Sequence, residues 1–246
     1  MKSIGILPDD ILLAVFEFCM DVVSGTESWQ SLVHVCRRWR SVIFRSPRHL
    51  QLRLRCKAKT PVRDMLDIWP PFPLVVDDIV GPTEDMDNVI AALERRDRVD
   101  TIQLTGVNGS SLEKVLAAMQ EPFPELMFLW LLSSGESVPI VPDSFLGGSA
   151  PRLLILLLSG IPFPGLRKLL LSATNLVNLQ LTNIPHSGYI SPDAMVTALT
   201  ALTRLQNLDL GFRSPRSHPD QASRLPPHLT RTVFPYSRRD LVQRGL

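Results

Sequence analysis

One pattern constrains this chain more than any other: an apolar triplet spaced i, i+3, i+5 that returns along its second half. It reads Val99-x-x-Ile102-x-Leu104, Leu126-x-x-Leu129-x-Leu131, Leu153-x-x-Leu156-x-Leu158, Leu176-x-x-Leu179-x-Leu181 and Leu205-x-x-Leu208-x-Leu210, at spacings of 23 to 29 residues. A β-strand sends alternate side chains to one face, so the last two apolar residues of each unit belong on the same side of a sheet. The rest of each unit is long enough for a return connection, and units stacked side by side bury what none of them buries alone. Helical connectors are expected over 111–120 (Leu112, Val115, Leu116, Met119) and 191–202 (Met195, Val196, Leu199, Leu202). Segment 164–173, with Leu166, Leu169 and Leu171, reads as a short helical connector with no strand of its own. Asn183 stands where a turn after the strand needs its backbone groups satisfied.

A recurrence of this length and pattern is the signature of a leucine-rich-repeat solenoid. Ahead of it come lead-in units of one strand and one helix each. Alternation over 50–56 predicts a strand, 61–69 a helix, 72–76 a strand and 85–95 a helix. Such repeats bind proteins on the strand face, through the positions between the inward leucines. Phe128 and Trp130 are the expected anchors, because interface hot spots favour aromatics. Asn178, Gln180, Asn207 and Asp209 are expected to bind substrate beside them.

The first fifty residues follow different rules. Pro8 suits the first helical position, and Asp9 and Asp10 put negative charge at the positive end of the helix dipole. Ile11, Leu12, Val15, Phe16 and Cys19 make a wide apolar stripe, which Ser24-Gly25-Thr26 interrupts. A second helix starts near Glu27 or Ser28 with Trp29, Leu32, Val33, Val35 and Cys36. A third runs from Arg37 to Phe44, with Trp39, Val42 and Ile43 as apolar points among arginines. Helices this short cannot bury so many large side chains among themselves, so a partner or a following domain must cover the remainder.

Leu7-Pro8, Ile11-Leu12-x-x-x-Phe16 and Leu32-x-x-Val35-Cys36-x-x-Trp39-x-x-Val42 together resemble an F-box, the motif that docks on the adaptor Skp1 of cullin-RING ubiquitin ligases. The resemblance implies that Leu7, Pro8, Ile11, Leu12, Leu32, Val35, Cys36 and Trp39 form the adaptor-facing surface or its packing. Two positions depart from the family pattern: Asp9-Asp10 replaces the usual arrangement with Glu, and Leu50 stands where many members have a second Trp. The later segments 68–74, 185–192 and 210–216 resemble F-box proteins of mushroom-forming fungi that carry irregular leucine-rich repeats.

Charge and chemistry narrow the function. Residues 1–60 hold ten Lys/Arg against five Asp/Glu, with nine of the bases between Arg37 and Lys59, although the chain's net charge is only +2. That cluster reads as the polar side of the helices, with nucleic-acid binding as a lesser alternative. Cys19 and Cys36 read as small core hydrophobes, since three cysteines without CxxC spacing suggest neither a disulfide framework nor a thiolate metal site. There is no HExxH pair and no phosphate loop; Ser133–Ser137 lacks a nucleophile-elbow context, and Asp77-Asp78 reads as solvated turn acids. No enzyme, cofactor or metal is expected. Apolar runs such as Leu153–Leu158 are far too short to span a bilayer, and an intracellular location, cytoplasm or nucleus, follows.

The expected fold is therefore α/β: a short N-terminal F-box helical module over 1–49, lead-in units over 50–98, an irregular leucine-rich-repeat solenoid over 99–212, and a poorly ordered tail over 213–246 of the kind a truncated gene product would have. The expected function is a substrate-recognition adaptor with Skp1, and through it a cullin, as partners and an unknown protein as substrate. A repeat scaffold unconnected to any ligase is the alternative.

Overall fold

The computed structural model describes residues 7–22, 28–47, 49–50, 52–59, 61–68, 70–79, 86–134, 139–163, 166–188 and 191–213. The helix break expected at Ser24-Gly25-Thr26 and the tail from residue 214 lie outside them.

Three helices open the chain: α1 (Asp9–Val22), α2 (Ser28–Val33) and α3 (Arg37–Arg45). Helix α1 starts one residue after Pro8, whose carbonyl accepts from the Leu12 N–H at 3.0 Å. Beyond the helices the chain alternates strand and connector: β1 (Leu54–Cys56), α4 (Val62–Ile68), β2 (Leu74–Ile79), α5 (Asp87–Leu93), β3 (Val99–Val107), α6 (Gly109–Ala118), β4 (Phe128–Ser133), β5 (Ile155–Ser159), α7 (Leu166–Ser172), β6 (Asn178–Ile184), α8 (Pro192–Thr200) and β7 (Asn207–Phe212). All seven strands lie in one open sheet, parallel, in the order β1-β2-β3-β4-β5-β6-β7. Strands β1 and β2 belong to this same sheet, which crosses the expected boundary at 98/99 without a break.

The recurring leucines set the register. Ile102, Leu129, Leu156, Leu179 and Leu208 pair in one row across β3 to β7, and Leu104, Leu131, Leu158, Leu181 and Leu210 in the next. From β3 to β6 both rows are buried. A one-residue slip of any strand would turn its leucines to the opposite face, so burial holds the register. Residue 126, 153 or 176, the first of its triplet, precedes the strand and is also buried, closing the core at the strand entrance.

Connectors start where the side chains allow. The Asn108 Oδ1 accepts from the Ser111 N–H at 2.8 Å and caps α6; the Ser191 Oγ accepts from the Ala194 N–H at 3.3 Å and caps α8, with Pro192 next. Helix α7 occupies the segment expected to connect without a strand. Between β4 and β5 a 3-10 turn, Phe145–Gly148, carries three successive left-handed residues, Leu146, Gly147 and Gly148, at φ 54°, 63° and 68°. A Cβ on Gly147 would sit 2.6 Å from the Pro122 ring, so this position requires glycine.

The strand exits share a device that the leucine pattern alone does not display. Gly106, Gly160 and Asn183 each follow the second row by two residues, and all have positive φ: 75°, 72° and 53°. Asn183 is thus a left-handed exit residue, a conformation that Asn tolerates better than most residues. Its Oδ1 also accepts from the Arg213 Nε–H at 3.1 Å.

Two expectations are corrected. Asp77 and Asp78 are not solvated turn acids but strand residues with partners. Asp77 pairs with Arg55 at 3.2 Å, and Asp78 accepts from the Ala58 N–H at 2.6 Å and the Ile79 N–H at 2.9 Å. Cys36 is exposed and Cys19 half-buried; Cys56 is the cysteine in the core, where burial pushes its thiol pKa up to about 12.

Candidate docking surfaces

The helical module and the sheet meet through aromatic rings. Trp29 is buried, with its indole 5.4 Å from the Phe72 ring at 90° and 6.4 Å from Phe44, while Phe44 and Phe72 lie 5.9 Å apart. The indole N–H donates to the Arg53 carbonyl at 3.1 Å. Arg53 in turn pairs with the buried Asp100 at 2.7 Å. The body therefore covers one side of the module, as its excess of large side chains requires.

The other side stays open. Along α1 the core takes Leu12 and Phe16, and Trp39 from α3 packs on Phe16 with ring centroids 4.8 Å apart. Ile11, Ala14, Val15 and Phe18 are spaced i, i+3, i+4, i+7, so they share a face about a third of a turn away from Leu12 and Phe16. On it Ile11 is 46% and Phe18 68% exposed, and in the turn between α2 and α3 Val35 is 58% exposed. Arg38 holds that turn to the start of α1: its guanidinium donates to the Leu7 carbonyl and pairs with Asp9 at 2.7 Å. Leu7 and Pro8 are thereby fixed beside the start of α3, which follows Val35 and Cys36 in the chain.

The eight expected docking residues divide accordingly. Pro8, Ile11, Val35 and Cys36 are exposed, Leu7, Leu32 and Trp39 are half-buried, and Leu12 is fully buried. Leu12 thus supports the face from beneath. Phe18, the most exposed large apolar side chain among the described residues of the module, was not among the expected residues; its i+7 relation to Ile11 was the available signal.

The second surface is the strand face opposite the leucine rows. One outward row runs Thr101, Phe128, Ile155, Asn178, Asn207 and the next Gln103, Trp130, Leu157, Gln180, Asp209. Phe128, Trp130 and Gln180 are half-buried, Asn207 and Asp209 exposed, and Asn178 buried. All six expected substrate-binding residues therefore lie on one face, with Phe128 and Trp130 on β4 and the four polar ones on β6 and β7.

Among the described residues no group of three or more His, Cys, Asp or Glu is placed to hold a metal ion, and no helix is long and apolar enough to cross a membrane. No curated protein matches the chain. The F-box-like family model matches residues 4–50, a span that contains α1, α2 and α3 and the exposed apolar side chains just described. The N-terminal helical region is an F-box-like domain.

Proposed function

We propose that this chain is a substrate-recognition adaptor of a Skp1–cullin–F-box ubiquitin ligase, and that its parallel sheet is a leucine-rich-repeat solenoid holding a protein substrate on the strand face. The observation that carries the reading is the coincidence of the F-box-like match over 4–50 with an open apolar face built from Ile11, Phe18 and Val35. Its role is not catalytic: an adaptor of this kind raises the effective concentration of a substrate lysine near the charged ubiquitin carrier. The likeness of its later segments to mushroom-type F-box proteins with leucine-rich repeats belongs to the same reading, as does an intracellular location.

The basic cluster, whose alternative use would be nucleic-acid binding, has several members engaged within the fold. Arg38, Arg53 and Arg55 are held by Asp9, Asp100 and Asp77, and the Arg40 Nε–H donates to the Val33 carbonyl at 3.0 Å. A salt-titrated binding assay reads that alternative, because phosphate contacts give a steep salt dependence.

Co-purification with Skp1 tests the proposal. The wild-type chain is expected to form a stable complex. Ile11→Asp with Val35→Asp is expected to weaken it by a factor of about 100 or more, since each places a charge in an apolar interface, with little change in thermal unfolding because both sites are exposed. A wild-type chain that ignores Skp1, or a complex that survives both changes, breaks the ligase reading and leaves a repeat scaffold.

A further inference from the structure

The strand face is striped. Taken strand by strand, the outward side chains are Thr101, Gln103 and Thr105 on β3; Phe128, Trp130 and Leu132 on β4; Ile155, Leu157 and Ser159 on β5; Asn178, Gln180 and Thr182 on β6; Asn207, Asp209 and Gly211 on β7. Chemistry is nearly constant along each strand and changes from one strand to the next. An apolar band two strands wide lies between polar bands, and the band on the β6–β7 side ends in a carboxylate. A partner that uses both chemistries must therefore run across the strands.

Two observations say what the polar band lacks. Asn178 is only 6% exposed, and its Oδ1 is buried with no hydrogen-bond partner. Burying such an acceptor without a partner is costly, so its presence points to a donor supplied from outside. Asp209, in register with Gln180 on the next row, is exposed and in no ion pair among the described residues, whereas the other carboxylate on this face, Asp77, is neutralised by Arg55. An acceptor without a donor beside a carboxylate without a cation describes a site for a Lys or Arg.

We infer that the strand face of β4–β7 takes an extended segment of a protein partner, lying across the strands, with a large apolar side chain on Trp130 and Leu157 and a Lys or Arg at Asp209. The inference rests on the strand-face reading above and adds the chemistry of what is held there. Strands lie about 4.8 Å apart, so Trp130 and Asp209, three steps apart in one row, are separated by about 14 Å. An extended chain advances about 3.3 Å per residue, which puts the basic residue four positions from the apolar one. Donors between them, main-chain N–H groups included, pass over β6; one of them reaches the Asn178 Oδ1 as its exposed neighbour Asn207 turns aside.

The experiment is selection of a random linear peptide library, displayed on phage, against the purified full chain in complex with Skp1, with Skp1 alone as the subtraction. Three forms are compared: wild type, Trp130→Ala and Asp209→Lys. The wild type is expected to enrich peptides with a large apolar residue and a Lys or Arg four positions apart. Trp130→Ala should lower recovery of these peptides at least tenfold, and Asp209→Lys should replace Lys or Arg by Asp or Glu at the same spacing. Peptides that need Trp130 but are indifferent to Asp209 overturn this inference while leaving the strand face as the binding surface. Peptides indifferent to Trp130, or no enrichment over Skp1 alone, overturn both. Should the chain not bind Skp1, the selection is run on the chain alone and reads the strand face independently of the ligase.

Discussion

The two edges of the sheet are built from the same kind of strand and end up in different surroundings. At the β1 edge, Leu54 and Leu74 are fully buried, and the helical module closes over the strand entrance through Trp29, Phe44 and Phe72. At the β7 edge, Leu208 and Phe212 are 46% and 49% exposed, although Leu208 stands in the same row as Leu156, which is fully buried. In such a stack an inward leucine is buried by its neighbours on both sides, and not by its own unit. Motif position says which face a residue takes; the neighbours decide how dry that face becomes.

Three measurements probe the contrast between the edges. The largest effect is expected at the closed edge. Phe72→Ala removes the ring shared by Trp29 and Phe44 and should lower unfolding stability by about 3–5 kcal/mol in urea titration. A loss under about 1 kcal/mol would mean that the module is not seated on the sheet in solution. Next comes a matched pair within one row. Leu156→Ala should cost about 2–5 kcal/mol and Leu208→Ala less than about 1, because only the first leaves a closed cavity. Equal losses would show that something covers β7 in solution.

The smallest effect concerns Cys56, beneath the first strand. Burial holds its thiol protonated to about pH 12 in the folded chain, against 9.0 ordinarily. Between those values the unfolded chain binds fewer protons, so stability should fall as pH rises through that window and be unaffected by this group below it. Comparing urea midpoints at about pH 8 and 10 for wild type and Cys56→Ala isolates the slope; an identical slope in both removes Cys56 as its source. A thiol reagent gives a companion readout: exposed Cys36 should react in the folded chain, and Cys56 only as it unfolds.

The sheet was legible because its signal repeats. Any one triplet such as Val99-x-x-Ile102-x-Leu104 could belong to a helix, but five in succession admit only parallel strands in register. The turns were less legible. Gly106, Gly160 and Asn183 share an offset from the leucine rows, yet two glycines and an asparagine look alike only once their common left-handed backbone is known. The open face of the helical module was legible as a set of residues but not as a direction. The stripe of Ile11, Leu12, Val15, Phe16 and Cys19 spans nearly half of α1, and hydrophobicity alone does not say which half of it meets the core. The sheet and Trp39 take the Leu12–Phe16 side, and the open face shifts toward Ile11 and Phe18. The partners of Asp77 and Asp78 were invisible for a similar reason: Arg55 and Ala58 reach them only through the pairing of β1 with β2.

The seam around Trp29 has a mechanical consequence. Its indole is faced by two rings and tethered at the nitrogen, while Arg53, the residue just before β1, is fastened to Asp100 on β3. The joint is thus a pivot with little slack, and slack there is amplified with distance. Six strand steps separate β1 from β7, about 29 Å at ~4.8 Å per step, so each degree of rocking at the pivot would swing the far strand by about 0.5 Å. Whatever rests on the last strands is aimed by three aromatic rings at the first.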